Sequence, residues 1–273
     1  MSLTKVTNTM QNSAPISVLD YAVDPTGATD SAAGLQAAIN AATAANKKLV
    51  FPAGGFYRIA STLTFTAPLV IDGEMCQILQ ETANTDALMF DEGTAGSGNY
   101  QNAWDVRNLV VRTVAGTGNA FTFRNINESK FTNLYCAGVG NIAFYIQGCL
   151  LNIFEKCYVG NGFTASPTFF ASGASGCVDG FRLENYNSLG PNTNTFIRCT
   201  ANNATGYGYY VGGTGNTFIH PDAEEITSPA VGMSLDGLAH SVVGGNFEGT
   251  GVSIDVLATN CTIERSEEHT SEL

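Results

Sequence analysis

Three acidic residues in the C-terminal third of the chain have the spacing that carboxylate catalysis needs. Asp222 and Glu224 are two residues apart, so they share one face of an extended strand. When Phe218 is aligned with Val242, Glu248 falls beside Glu224 on the neighbouring strand. Because parallel strands lie about 4.8 Å apart, this predicts carboxyl groups roughly 5–5.5 Å apart, as in a retaining glycosidase. Repulsion between them raises the pKa of one, which a general acid requires.

Polar residues near these acids are candidates for substrate contacts. The alignment places Asn202 one repeat before Glu224 at the same position, and we call such a set of aligned positions a column. The predicted contacts in this region are Asn202, His220, Asn246 and Arg198. A second interpretation stays open, because stacked polar side chains are also common on the solvated face of a β-solenoid. In that case the carboxylates point into the solvent and have no catalytic role.

A segment between Gly162 and Gly176 interrupts the strand pattern and predicts a surface loop. Its aromatic side chains are candidates for stacking on sugar rings or, equally, for packing back onto the strands. They are Phe163, Phe169 and Phe170. Arg182 and Glu184 follow this loop and form a second candidate pair, with Arg182 as a substrate contact.

A repeat of short strands must position all of these residues. Its units begin at Asn194, Asn216 and His240, and 22 and 24 residues separate these positions. Each unit is a short apolar strand, a turn and a second strand that opens on Gly. One such unit cannot bury its apolar face alone. Repeats of this length that contain only strands therefore predict a solenoid with one continuous core, in which each repeat forms one rung.

The composition agrees with a strand-rich fold and excludes several partners. The 273 residues include 30 Gly and only 13% charged residues, which disfavours a helical protein. The formal net charge of −12 provides no basic surface for nucleic acid or an anionic membrane, and no apolar run reaches membrane-spanning length. A polysaccharide is the partner that fits best. Seven Cys at no metal-type spacing predict free thiols, with an internal ladder at Cys136, Cys157 and Cys199.

The first third of the chain carries a more specific pattern. Asp24-Pro25-Thr26-Gly27 predicts a turn, after which Thr29 or Asp30 can cap a helix. The helix is predicted from about residue 30 to 46, and its apolar stripe is Leu35, Ala38, Ile39 and Ala42. Residues 49–59 then read as a strand, a tight turn and a second strand.

This part of the chain resembles the N-terminal block of the right-handed parallel β-helices of the pectate lyase superfamily. Within that superfamily it is most similar in style to tailspike and tail-fibre proteins of phages and prophages. The stretches that carry the resemblance are Leu19–Ala22, Asp24–Asp30, Leu35–Ile39 and Val50–Tyr57. It implies an all-β fold, a single-stranded right-handed parallel β-helix (solenoid) with an N-terminal capping α-helix. The β-helix domain is predicted to cover residues 18–264, after an N-terminal arm at residues 1–17.

The resemblance implies a carbohydrate-recognising, tailspike-like protein that could cleave a bacterial surface polysaccharide, located in a virion tail or outside the cell. Two alternatives stay open: a polysaccharide lyase, glycoside hydrolase or uronate epimerase, and a structural shaft without a ligand. No cofactor is expected, except that a lyase would imply Ca²⁺ at Asp222, Glu224 and Glu225 and a nearby cation, for which only Arg198 qualifies. The resemblance also implies a possible homotrimer.

The last nine residues have a different origin in this interpretation. Residues 265–273 break the strand pattern and match the translation of a common sequencing adapter codon for codon. We therefore expect an adapter-derived artefact there, and an assembled environmental read as the source. On this interpretation the β-helix is cut near Glu264. The N-terminus lacks the long apolar core of a secretory signal peptide.

Overall fold

A computed structural model describes residues 14–91, 101–114, 116, 118–138, 140–160, 176–227 and 231–264. Within these residues one α-helix, α1, spans Ala32–Ala45, and a turn of 3-10 helix spans Val18–Asp20. The strands are β1 (Ile16–Ser17), β2 (Thr26–Asp30), β3 (Leu49–Val50), β4 (Phe56–Ile59), β5 (Leu63–Phe65), β6 (Val70–Gln80), β7 (Leu88–Asp91), β8 (Gln101–Asn102), β9 (Asp105–Thr113), β10 (Phe121–Arg124), β11 (Ile126–Asn127), β12 (Lys130–Cys136), β13 (Ile142–Gln147), β14 (Ile153–Glu155), β15 (Tyr158–Val159), β16 (Asp179–Glu184), β17 (Thr195–Ile197), β18 (Thr200–Asn202), β19 (Tyr207–Val211), β20 (Thr217–Ile219), β21 (Asp222–Glu224), β22 (Val231–Leu235), β23 (Ser241–Val243), β24 (Asn246–Glu248), β25 (Val252–Val256) and β26 (Thr262–Glu264).

The strands form three faces around one core, except that β8 and β11 pair in a separate two-stranded sheet. Face 1 is the series β1-β3-β6-β9-β12-β14-β17-β20-β23-β26. Face 2 is the series β2-β4-β6-β9-β12-β15-β18-β21-β24, because the long strands β6, β9 and β12 bend and contribute to both faces. Face 3 is the series β5-β7-β10-β13-β16-β19-β22-β25. The pairing within each face is parallel, for example between β17 and β20, and the fold is the predicted right-handed parallel β-helix.

Side chains alternate between the core and the surface along each strand. In the three-residue strands β17, β20 and β23 only the middle residue is buried, and these residues are Phe196, Phe218 and Val242. The buried rings of successive rungs stack on one another. The ring centroids of Phe154 and Phe196 are 4.9 Å apart, and those of Phe196 and Phe218 are 4.7 Å apart. A second stack on face 3 joins Phe121, Phe144, Phe181 and Tyr209 at 4.6–5.1 Å between centroids.

The residues that begin the sequence repeat form a buried ladder of side-chain amides. The Nδ2 and backbone N of Asn194 both donate to Oδ1 of Asn216, at 3.1 and 3.0 Å. Asn152 donates to Asn194 in the same way one rung earlier. His240 ends the ladder, where its Nδ1 accepts the backbone N–H of Asn216 at 3.3 Å. Each ladder side chain therefore satisfies buried backbone groups of the preceding rung, which favours this residue type at this position.

Helix α1 lies against β1, β3 and β5 at the N-terminal end of the solenoid, as the capping prediction requires. Its buried side chains include the predicted stripe of Leu35, Ala38, Ile39 and Ala42. Asp30 accepts the backbone N–H of Ala32 at the start of the helix, at 3.0 Å. At the other end Asn46 adopts a left-handed conformation with φ 49°, which closes the helix.

The cysteine ladder is shorter than the sequence predicts. Cys157 and Cys199 precede the paired residues Tyr158 and Thr200, so they do share a column on face 2. Cys136 instead pairs with Val159, two positions further along the face. The prediction was wrong for Cys136 because the spacing between cysteines fixes the rung but not the position within a rung. Every cysteine is a free thiol, and all but Cys261 are buried.

Candidate functional site

The predicted carboxylate column exists on face 2. Asn202 pairs with Glu224 between β18 and β21, and Glu224 pairs with Glu248 between β21 and β24. The neighbouring column on the same face contains Thr200, Asp222 and Asn246. All of these side chains point outward, because Ala201 and Ala223 at the middle of β18 and β21 fill the core.

Two amides from different rungs hold the carboxylate of Glu224. Asn202 donates from Nδ2 to Oε2 at 3.3 Å, and Asn246 donates from Nδ2 to Oε1 at 3.2 Å. Asp222 receives a weaker contact from Oγ1 of Thr200 to its Oδ2 at 3.4 Å. Its other oxygen, Oδ1, is buried and accepts no hydrogen bond in the described part of the chain. Glu248 and Asn246 are exposed.

The pKa values of Asp222 and Glu224 are both raised. The pKa of Asp222 is raised mainly by burial, and the charge of Glu248 adds to the effect. The pKa of Glu224 is raised first by the charge of Asp222, then by burial and by the charge of Glu248. Among the described residues no ion pair involves Asp222, Glu224 or Glu248, so no cation offsets this repulsion. Asp222 and Glu224 therefore hold protons more tightly than isolated carboxyl groups do.

His220 and Arg198 lie at the corner between face 1 and face 2. Both adopt positive φ, 49° and 50°, and both are exposed. The charge of Arg198 acts on Glu155 of face 1, whose pKa is lowered first by a hydrogen bond from Lys130. Both residues therefore lie at the turns that lead into β18 and β21, and the charge of Arg198 contributes to the lowered pKa of Glu155 on face 1.

Two tyrosines extend the acidic surface along face 2. Tyr135 pairs with Tyr158, and Tyr158 pairs with Thr200, so both tyrosines belong to the column of Asp222. Their ring centroids are 6.0 Å apart. Sequence reasoning did not find them, although the alternation within β12 and the alignment of Tyr158 with Thr200 carried the signal. Face 2 therefore offers two outward rings followed by polar and acidic side chains in one line.

Arg182 lies apart from the acidic column, on face 3. Its Nη1 pairs with Oδ2 of Asp179 at 2.7 Å, and its Nε donates to Oε1 of Glu184 at 2.6 Å. Its guanidinium also stacks on Tyr210, 4.5 Å from the ring centroid. Tyr145 donates to Oε2 of Glu184 at 2.7 Å. Arg182 and Glu184 are thus a pair, as predicted, but within a larger network that the sequence alone did not show.

Other predicted features lie outside the described residues or find no support among them. Phe163, Phe169 and Phe170 lie outside the described residues. No group of three or more His, Cys, Asp or Glu side chains in the described ranges is arranged to hold a metal ion. Calcium binding at Asp222, Glu224 and Glu225 therefore stays a prediction tied to the lyase alternative. Within the described residues, no helix has the length and hydrophobicity needed to cross a membrane.

Solved structures with a similar fold come from phages and bacteria. The tailspike protein of Acinetobacter phage vB_ApiP_P1 has a TM-score of 0.59 at 19% identity, over 93% of this chain and 45% of that one. The A-module of the mannuronan C-5 epimerase AlgE4 from Azotobacter vinelandii has a TM-score of 0.55 at 13% identity, over 91% and 76%. ORF18 of Geobacillus virus E2 has a TM-score of 0.50 at 15% identity, over 94% and 61%. These likenesses describe the fold.

The chain spans less than two thirds of two of these proteins. No curated protein matches it. A family model does match, over residues 15–218, which include Asn202 and Arg182 but end before Asp222. This match covers well over half of the chain and agrees with the parallel β-helix seen here. The chain therefore belongs to the family described as rhamnogalacturonase A/epimerase, pectate lyase-like.

Proposed function

We propose that the chain is part of a tailspike-like protein that binds a bacterial surface polysaccharide on face 2 and hydrolyses it there. The observation that carries the proposal is the column of Asn202, Glu224 and Glu248 with Asp222 beside it. This column continues a line that begins with two outward tyrosines. A rigid strand ladder presents side chains at a fixed spacing, which suits an extended polymer better than a small molecule.

In the proposed reaction Glu224 is the general acid and Glu248 is the nucleophile. The raised pKa of Glu224 favours the protonated form that donates to the glycosidic oxygen as the bond to the anomeric carbon breaks. Glu248 attacks that carbon and forms a glycosyl-enzyme ester. Glu224, now ionised, then removes a proton from water, which attacks the same carbon and releases Glu248. Asp222 keeps the pKa of Glu224 high, and the two amides fix its orientation.

Hydrolysis fits this site better than β-elimination or epimerisation does. Those reactions remove a proton next to a uronate carboxylate, so they need a cation to stabilise the developing charge. The charged groups that shift the pKa of Asp222 and of Glu224 are carboxylates, whereas the charge of Arg198 contributes to lowering the pKa of Glu155. The likeness to a mannuronan C-5 epimerase is a likeness of fold, and the lyase and epimerase alternatives remain outcomes of the test below.

The proposed setting is a virion tail or the outside of the cell, with a homotrimer as the assembly. It rests on the fold that the chain shares with a phage tailspike. Sedimentation of the purified chain tests the assembly, because a monomer over a wide concentration range would contradict it.

The decisive experiment measures cleavage of bacterial capsular and O-antigen polysaccharides by the wild type and by three variants. We expect Glu224→Gln and Glu248→Gln each to lose at least about 100-fold in rate, the usual contribution of general acid catalysis. Glu225→Gln is the matched control, since Glu225 is the next residue but is exposed at a turn with φ 53°. Unchanged cleavage in both test variants would remove these residues from the mechanism.

The form of the product separates the remaining alternatives. A hydrolase releases saturated reducing ends, whereas a lyase product absorbs in the ultraviolet because it carries an unsaturated uronide. Binding without any cleavage would support a recognition protein. Neither binding nor cleavage across the whole set of polysaccharides would leave the structural shaft as the function.

A further inference from the structure

A cleft lies on face 3, away from the acidic column. This cleft of about 690 Å³ opens where β16, β19 and β22 end, within the range of roughly 300–1,000 Å³ that ligand pockets occupy. The residues of its wall that matter here are Glu184, Asn192, Tyr210, Gly212 and Asp236. The geometry points to a glycan subsite that selects neutral or amino sugars against uronates, and this inference rests on the proposed carbohydrate function.

Tyr210 provides an aromatic platform at one side of the cleft. In its column Arg182 precedes it and Ser234 follows it. The guanidinium of Arg182 lies over the ring, and Tyr207 packs edge-on against it at 5.4 Å between ring centroids. The hydroxyl of Tyr210 reaches Oδ2 of Asp236 at 3.5 Å, and the half-buried ring lines the cleft, where it is suited to contact the apolar face of a sugar ring. The ion pairs of Arg182 with Asp179 and Glu184 hold this platform in place.

A glycine creates the space for a sugar between two acids. Leu183, Val211 and Leu235 pair in register, so the residues that follow them, Glu184, Gly212 and Asp236, occupy successive rungs. Gly212 has no side chain, and the two carboxylates are separated by two rungs, roughly 9–10 Å. The spacing leaves room for a sugar whose hydroxyl or ammonium groups donate to both carboxylates.

The charge of the cleft sets its preference. Asp179, Glu184 and Asp236 provide three negative charges against the single positive charge of Arg182, which is already paired. The next arginine on face 3, Arg124, lies two rungs from Glu184 and pairs with Asp91. A uronate carboxylate in the cleft would therefore face like charges without a free cation, whereas hydroxyl and ammonium groups find acceptors. Asn192 adds an amide, although its Oδ1 already accepts from the backbone N–H of Thr214.

The test uses an array of polysaccharide fragments that contains neutral, amino-sugar and uronate-rich members, probed with the full chain. We expect binding to neutral and amino-sugar members and at least about tenfold weaker binding to uronate-rich ones. Tyr210→Ala should lose at least about tenfold in affinity, whereas Tyr210→Phe keeps the ring and should stay within about threefold of the wild type. Asp236→Asn should reduce the discrimination against uronates.

Asp255→Asn is the matched control, because Asp255 follows Ser234 in the column of Tyr210 but lies outside the cleft. Circular dichroism establishes that each variant is folded. Equal binding of uronate-rich members, unchanged binding by Tyr210→Ala, or a silent array would overturn the inference. The two proposals can fail separately. If the wild type cleaves the glycan and binding does not depend on Tyr210, only the proposed subsite on face 3 is rejected. If binding depends on Tyr210 but the wild type cleaves nothing, only the proposed hydrolysis at Glu224 is rejected.

Discussion

The two amides that hold Glu224 come from different rungs, so the position of one carboxylate depends on the stacking of three strands. Asn202 lies on the rung before Glu224 and Asn246 on the rung after it. The same stacking forces Asp222 and Glu248 close to Glu224, where their charges raise its pKa. A structural role alone would favour fewer like charges at this spacing, because directly opposed like charges destabilise a sheet.

Replacing Asp222 by Asn should stabilise the protein at neutral pH. The folded state raises the pKa of Asp222, so folding favours the protonated form and loses stability as the pH rises through that pKa. Asn keeps an acceptor for Thr200 and removes the charge. We expect a gain of up to about 1 kcal/mol at pH 7 that disappears in acid, measured by chemical denaturation at several pH values. Glu225→Gln serves as the control and should change stability by less than about 0.5 kcal/mol. A loss of stability in Asp222→Asn at pH 7 would contradict the account.

At the scale of elements, the amide ladder connects the strands of face 1 through the core. Asn194 donates to the backbone oxygen of Cys149 on one side and to Asn216 on the other. It also accepts the backbone N–H of Asn152. A single side chain therefore satisfies groups on both neighbouring rungs, and the loss of one member leaves buried donors unpaired.

Asn194→Ala should therefore destabilise the protein strongly. We expect a loss of about 2–4 kcal/mol in the free energy of unfolding, because the buried backbone N–H of Asn152 loses its acceptor and the carbonyl oxygen of Cys149 keeps only its bond from the N–H of Asn192. Thr195→Ala changes the next residue, whose side chain points outward, and should lie within about 0.5 kcal/mol of the wild type. Chemical denaturation of both variants measures the difference, and equal stabilities would show that the ladder contributes little.

The last member of the ladder should make the C-terminal rungs sensitive to acid. Burial lowers the pKa of His240, whose Nδ1 accepts from Asn216 while Nε2 contacts the backbone oxygen of Asp236 at 2.9 Å. The neutral ring therefore stabilises the fold above the unfolded pKa of about 6.5, and this contribution is lost as the pH falls through the lowered folded value. Hydrogen exchange of residues 231–264 should rise at acidic pH before that of the first rungs does.

His240→Asn should remove this acid sensitivity. The Nδ2 of Asn216 donates to the backbone oxygen of Gly212, four residues before it. The Nε2 of His240 makes the equivalent contact to the backbone oxygen of Asp236, also four residues before it. An asparagine at position 240 can therefore make both ladder contacts without a titrating group. Exchange in the C-terminal rungs should become independent of pH near 6 after correction for the intrinsic rate. Persistent acid-induced opening in His240→Asn would show that another group is responsible.

At the scale of the whole molecule, the main contacts between strands in the described residues join neighbouring rungs. Stability in such a solenoid is approximately a sum of rung and interface contributions, and its ends matter more than in a globular domain. Helix α1 covers the first rung through Leu35, Ala38, Ile39 and Ala42. The cap therefore protects β1 and β5, which begin faces 1 and 3 in the described structure, together with β3 beside β1.

Ile39→Ala should open the first rungs selectively. Because this side chain is buried, we expect its truncation to lower the free energy of unfolding by about 2–4 kcal/mol. The resulting opening should be confined mainly to residues 16–65. Hydrogen exchange by mass spectrometry should show faster exchange there than in strands β17 and β20. A uniform increase along the whole solenoid would instead mean that the chain unfolds in one cooperative step.

The fold and the acidic column were predictable because both depend on the repeat spacing. Aligning Phe218 with Val242 on face 1 gave the register of Glu224 and Glu248 on face 2, because the turn between the two faces has the same length in both rungs. The cleft on face 3 was not predictable in this way. Its acids, Glu184 and Asp236, lie two rungs apart, and the connections between faces vary in length. The partners of Arg182 also come from neighbouring positions that only the register reveals.

The chain contains a single tryptophan, and its place in the core provides an optical reporter. Trp104 is 1% exposed and lies edge-on against Phe90, 5.4 Å between ring centroids, in the N-terminal half of the solenoid. Its fluorescence should therefore stay blue-shifted while the C-terminal rungs open, and shift to the red only when water reaches the rung of Phe90. Tyrosine emission from Tyr209, at the far end of the stacked rings, should change earlier. A fluorimeter can thus follow the direction in which the solenoid comes apart, without any added label.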